Sequence, residues 1–108
     1  ENGYVLTRQL LDEGKEFTAV FAFSDTMAVG ACRAIAEAGK RIPQDYSVAG
    51  FDGIELCSYY NPTLTTIRQP IAQEGEYAAK EMIRQLRDGA EDTIRKELDL
   101  ELVIRQSA

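Results

Sequence analysis

The chain of 108 residues has no histidine and no tryptophan, and only two cysteines and three prolines. Without histidine, the side chain that most often serves as a general base near neutral pH is missing. Ser24 has no neighbouring base in the sequence, so no nucleophile–base pair can be assembled. This points away from an enzyme. The lone Cys32 and Cys57 have no metal-ligand spacing, and with no histidine beside them a zinc site is not available. They read as free thiols of a reducing compartment, with the cytoplasm as the expected location. Basic charge is also scarce. Twelve Lys and Arg stand against eighteen Asp and Glu, a formal charge of −6. The basic residues are scattered rather than clustered, as Arg33, Lys40, Arg41, Arg68, Arg84, Arg87 and Arg105 illustrate. A nucleic-acid surface on this segment is therefore not expected. No apolar run approaches the length of a membrane span, and no signal peptide opens the chain, so no membrane partner is expected. Glu1 is not an initiator residue, so a part upstream is expected.

What is present suits one domain with one core. Two apolar runs each end in a carboxylate. Residues 17–23 lead into Ser24-Asp25, and residues 46–51 lead into Asp52-Gly53. Continuous apolar runs of this kind suit strands buried on both faces of a parallel sheet. In open α/β sheets the ligand crevice lies outside the carboxyl ends of the strands. Both acids thus fall where such folds bind small molecules.

The pattern along the chain is α-β-α-β-β-α-β. Asn2 can cap a first helix over residues 3–14, ended by Gly14. Ser24 or Asp25 caps a second helix, 26–38, with Met27, Ala28, Ala31, Ala34, Ile35 and Ala38 on one face. A short irregular or helical piece follows Asp52 as far as Tyr60. Residues 64–68 are β-branched enough for a third strand. An amphipathic helix spans 71–87 and closes at Gly89. Leu98, Leu100, Leu102 and Ile104 alternate with polar neighbours as a half-exposed terminal strand. This predicts an α/β, Rossmann-like parallel sheet with flanking helices. The apolar face of helix 71–87 lacks a partner, and no first βαβ unit opens the chain. Both features suggest a segment of a larger protein.

Asp52 is the sharpest candidate for ligand contact. An ionised carboxylate can accept from two adjacent sugar hydroxyls or a ring N–H, and Gly53 lets a ligand or backbone approach. The competing reading is that Asp52 caps the short helix 53–58. For Asp25 the position favours helix capping. Ser24 lies nearer the strand end and could turn its hydroxyl into the crevice. Gln69 ends the third strand as Asp52 ends the second. Its amide suits a polyol, although a surface turn before Pro70 explains it as well. Tyr59-Tyr60 reads as packing or an interface, and Arg68 and Arg105 as solvated or paired with acids. A phospho-receiver reading of Asp52 lacks the second acid and the late lysine that such domains need.

Four segments resemble those of LacI/GalR-type transcriptional regulators. Residues 22–31, Ala-Phe-Ser-Asp-Thr-Met-Ala-Val-Gly-Ala, resemble their A-x-N-D-x-M-A-x-G-A segment. Residues 42–52, Ile-Pro-Gln-Asp-Tyr-Ser-Val-Ala-Gly-Phe-Asp, resemble V-P-x-D-x-S-V-x-G-F-D. Residues 62–70 are similar to P-x-L-T-T-[IV]-x-Q-P, and residues 101–107 to x-L-[IV]-x-R-x-S. The likeness implies the C-terminal part, residues 1–108, of a type I periplasmic-binding-protein-like effector domain. Helix 71–87 would then pack on an N-terminal subdomain absent from this chain, and DNA would be read only by a helix-turn-helix upstream. The resemblance implies that Asp52 contacts a small effector, a sugar or purine-like molecule, with Gln69 on the hinge side and Ile71 walling the pocket. Ser24 stands where the family has a ligand-contacting asparagine. Val29 and Tyr60 fall at homodimer contacts. No metal, cofactor or catalytic residue is implied. A periplasmic sugar-binding component of an ABC transporter, which has the same fold, is the alternative.

Overall fold

The computed structural model describes residues 1–108. In chain order the elements are α1 (Asn2–Asp12), β1 (Ala19–Phe21), α2 (Asp25–Glu37), β2 (Ser47–Asp52), α3 (Leu56–Tyr59), β3 (Thr65–Arg68), α4 (Ile71–Asp88) and β4 (Glu101–Val103). They form two compact units. One holds residues 1–68 and 101–108, the other residues 69–100.

In the first unit the strands lie in the order β1-β2-β3-β4. β1, β2 and β3 are mutually parallel, whereas β4 runs antiparallel to β3. α1 does not use Asn2 as its cap. Asn2 is already helical, and no side chain caps the helix at Glu1. The far end closes as expected. Gly14 adopts φ +66°, and the N–H groups of Gly14 and Lys15 reach Leu11 and Leu10 carbonyls, each at 3.2 Å. That pair of bonds satisfies carbonyls the helix would otherwise leave open.

α2 packs its small-residue face on the sheet. Ala28, Ala31, Cys32 and Ile35 join Ala22, Val48, Cys57 and Leu64 in the buried core. α1 crosses α2 closely because Gly30 has no side chain. A Cβ there would lie 2.7 Å from the Tyr4 nitrogen.

β1 departs from the expected strand buried on both faces. It is an edge strand, and its residues alternate. Ala22, just past the strand, is buried, while Phe21 and Phe23 are 69% and 91% exposed. Helices cover one face of the sheet here. On the other face, Phe21, Phe23 and Phe51 line an apolar hollow of about 540 Å³.

The terminal strand is also shorter than the alternation of leucines suggests. Only residues 101–103 pair, and they do so antiparallel to β3. That direction carries the tail back towards the start of β3. There Ser107 is fully buried. Its hydroxyl donates to the Val48 carbonyl at 2.6 Å and accepts from the Thr65 N–H at 2.9 Å. Its backbone N–H donates to Thr63 at 3.0 Å, and its carbonyl accepts from Val48 at 2.8 Å. Arg105 is half-buried and pairs with a backbone carbonyl rather than an acid. Its guanidinium donates to the Leu64 carbonyl at 2.8 Å. Arg68 does find an acid, Glu101, at 3.2 Å.

The second unit is α4 and the irregular segment after it. α4 ends at Gly89 in the left-handed conformation, φ +65°. None of its residues is buried, and Ile71, Met82, Ile83 and Leu86 are exposed. Tyr77, Met82, Ile94 and Leu98 line a hollow of about 370 Å³, with the Lys96 ammonium 5.8 Å from the Tyr77 ring. No helix of the chain is long and apolar enough to cross a membrane.

The clasp at Ser107 gives a direct test. Ser107→Ala leaves the Val48 carbonyl and the Thr65 N–H without their buried partner. A loss of about 1–3 kcal/mol is expected in chemical denaturation, with an unchanged slope against denaturant.

Candidate functional site

Ser24 and Asp25 divide the work at the end of β1. Ser24 is extended, φ −147° and ψ 160°, and its hydroxyl accepts from the Met27 N–H at 3.3 Å. It is the helix cap. Asp25 is the first residue of α2, and its carboxylate does not cap the helix, against the expectation from its position. It is fully buried and turns towards the strand ends. One oxygen accepts from the Gly53 N–H at 2.7 Å and the Ile54 N–H at 2.8 Å. The other accepts from the Thr66 hydroxyl at 2.5 Å. Charge-assisted bonds of this kind, with the positive end of α2 behind them, offset the cost of burying a carboxylate. Gly50 makes the room, since a Cβ there would meet the Asp25 carboxylate and lie 3.1 Å from its Cα.

Asp52 closes β2 in an uncommon conformation. It is the only residue other than glycine with positive φ, at +126°. An L residue pays steric strain of roughly 1–3 kcal/mol in such a region, and strain of this kind concentrates at functional sites. Gly53 follows with φ +79°. A Cβ on Gly53 would lie 2.7 Å from the Arg68 Cα, so the turn after Asp52 passes directly against β3. Asp52 is half-buried, where a ligand can reach it.

Within the first unit the structure therefore gathers Ser24, Asp25 and the Asp52-Gly53 turn at the carboxyl ends of β1 and β2. Gln69 and Ile71 belong to the second unit. The Gln69 carbonyl accepts from the Ile71 N–H at 2.9 Å, and Ile71 opens α4 with 61% of its surface exposed. Val29 and Tyr60 are half-buried and pack against the core from its rim. No group of three Cys, Asp or Glu side chains is placed to hold a metal ion.

Both cysteines are buried and reduced. Burial pushes the Cys32 thiol up to about 11. Cys57 is pushed up to about 12, by burial first and then by the neighbouring Asp25 carboxylate. The latch role of Asp25 escaped the sequence reading. The signal available was an acid followed at a distance by Gly50 and Gly53, and it is too diffuse to recognise in one sequence.

In an open α/β sheet the acid at the carboxyl end of β2 stands at the edge where such folds take small molecules. The periplasmic binding protein-like domain family matches residues 2–108, and the chain belongs to it. The LacI/GalR resemblance of the motifs is upheld by the relatives. The ribose operon repressor of Haemophilus influenzae is 41% identical over 107 residues, covering 99% of this chain and 32% of the repressor. The structure of a LacI family transcriptional regulator from Enterococcus faecium with bound ribose superposes with a TM-score of 0.86 at 41% identity, over 97% of this chain and 38% of that one. The lac repressor dimer bound to operator and the anti-inducer ONPF superposes with a TM-score of 0.89 at 39% identity, over 97% and 36%. The chain thus spans about a third of the length of the curated relative and of these solved chains.

Two outcomes are expected. Asp52→Gly should be more stable than Asp52→Ala by about 1 kcal/mol in denaturant titration, because both lose the carboxylate but only glycine adopts the positive φ without a clash. The cysteines should resist alkylation in the folded protein. At pH 8 the thiolate is about one part in a thousand for Cys32 and about one in ten thousand for Cys57. Mass spectrometry should show neither labelled under native conditions and both labelled in denaturant.

Proposed function

We propose that the chain is the effector-binding and dimer-forming part of a cytoplasmic LacI-type transcriptional regulator, and that its effector is a ribose-like sugar. The observation that carries this reading is Asp52, displayed in a strained conformation at the carboxyl end of β2. The ribose named for the Haemophilus influenzae and Enterococcus faecium relatives supplies the ligand class.

In this reading the Asp52 carboxylate accepts from two adjacent sugar hydroxyls. The Gln69 amide can donate and accept at a polyol, Ile71 offers an apolar contact, and Ser24 offers one hydroxyl from the end of β1. The ligand is bound, not transformed, since no side chain here forms a nucleophile–base pair. Val29 on α2 and Tyr60 after α3 contact a second copy. α4 packs on a second subdomain outside this chain, and DNA is read by a domain that also lies outside it. Effector binding favours one arrangement of the two subdomains and so changes the spacing of DNA-binding heads in the dimer.

The phospho-receiver reading loses its remaining support in the geometry. The one other acid nearby, Asp25, commits both oxygens to bonds within the fold. Nothing favours the transporter component over the regulator.

Calorimetry of D-ribose against the intact protein tests the reading. Asp52→Ala should weaken binding by about a hundredfold or more, the loss expected when a charged hydrogen-bonding group is removed from a buried site. Unchanged affinity in Asp52→Ala overturns the assignment of Asp52. Binding of a purine base with no response to ribose overturns the sugar class.

A further inference from the structure

We infer that Asp25 is a positioning residue for ligand binding, holding the Asp52 backbone in its positive-φ conformation from beneath. The inference rests on Asp52 being the ligand contact.

The argument starts from strain. A positive φ at a non-glycine residue persists only where the surroundings over-determine it. The residues after Asp52 show what does so. The N–H groups of Gly53 and Ile54 both point at one Asp25 oxygen, at 2.7 and 2.8 Å. Two successive N–H groups converging on a single anion fix the path of the backbone just after Asp52. The other Asp25 oxygen is held by the Thr66 hydroxyl, so the carboxylate cannot rotate to follow the turn. Thr66 is fully buried in β3, and the Asp25 backbone is fixed as the first residue of α2. The anchor is therefore rigid on both sides. On the opposite side of the turn, Gly53 lies against the Arg68 backbone, which blocks retreat towards β3. The turn is gripped between a buried anion and a strand, and Asp52 takes the conformation that remains.

Asp25 itself is fully buried beneath the turn, and its two oxygens are held by two backbone N–H groups and the Thr66 hydroxyl, with the Cys57 thiol beside them. Its influence on binding passes through the direction in which Asp52 presents its carboxylate. Asparagine at position 25 keeps the shape but cannot reproduce the contact. One of its two terminal atoms is an NH2 donor. Either that group faces the two N–H donors of the turn, or it faces Thr66 and the anionic charge that gathers both N–H groups is gone.

Two measurements on the intact protein test this. The three-bond coupling between the amide and α protons of Asp52 reports its φ in the ligand-free protein. It should change in Asp25→Asn and stay as in the wild type in Ile35→Val, which loosens the same core without touching the turn. D-ribose affinity by calorimetry should fall roughly tenfold or more in Asp25→Asn. In an Asp52→Asn background the same substitution should cost less than about twofold further, because Asp25 acts through Asp52. If Asp25→Asn does not fold, Asp25→Glu, which keeps the charge and displaces it by one methylene, should shift the coupling and the affinity in the same way.

A folded position-25 variant with an unchanged Asp52 coupling overturns the inference. So does a changed coupling with unchanged ribose affinity, or losses at positions 25 and 52 that simply add. If the wild type binds no ribose, the proposed sugar function fails. If ribose binds but Asp52→Asn keeps wild-type affinity, the ligand-contact reading of Asp52 fails instead, and the inference falls with it.

Discussion

A single buried carboxylate holds three pieces of this fold in register. Asp25 starts α2, accepts from the turn after β2 and accepts from a hydroxyl on β3. Removing a carboxylate from water is costly, and here the cost is met by three donors and the positive end of a helix. The same arrangement explains other choices in the chain. Position 50 must be glycine because the carboxylate fills the space a side chain would need. Thr66, buried in a parallel strand where valine or isoleucine would be usual, is there for its hydroxyl. Ser24 is left to cap the helix because its neighbour is engaged elsewhere.

Much of the layout is readable from local pattern alone. The alanine-rich face of α2, the Pro-bounded β3 and the period of α4 each come from spacings of a few residues, which is the range over which helix and strand periodicity act. The place of Asp52 at the end of β2 is also readable, because a strand end followed by glycine is a local signal. What was misread depends on distant partners. Asp25 looks like a helix cap until the Gly53 and Thr66 donors are placed beside it. Arg105 looks like a surface cation until its guanidinium is found on the Leu64 carbonyl. The direction of β4 follows from where the tail must go, and no alternation of leucines encodes that.

β1 shows a different limit. Its apolar run is real, but burial depends on what lies on either face of a sheet. Helices of this chain cover the side of Ala22, and Phe21 and Phe23 face away from them. Sequence pattern can state that a strand is apolar on both sides without stating which layer meets each side.

The clasp at Ser107 bears on the order in which the chain finds its structure. Ser107 and Val48 are 59 residues apart, yet their contact pins the start of β2 to the start of β3. Contacts of long separation form late, since much chain entropy is lost before they reward it. β2 and β3 can meet earlier, but their alignment is not locked until the final turn of chain arrives. Loss of the last residues of the chain would therefore remove the bonds that tie the first residues of β2 and β3 together.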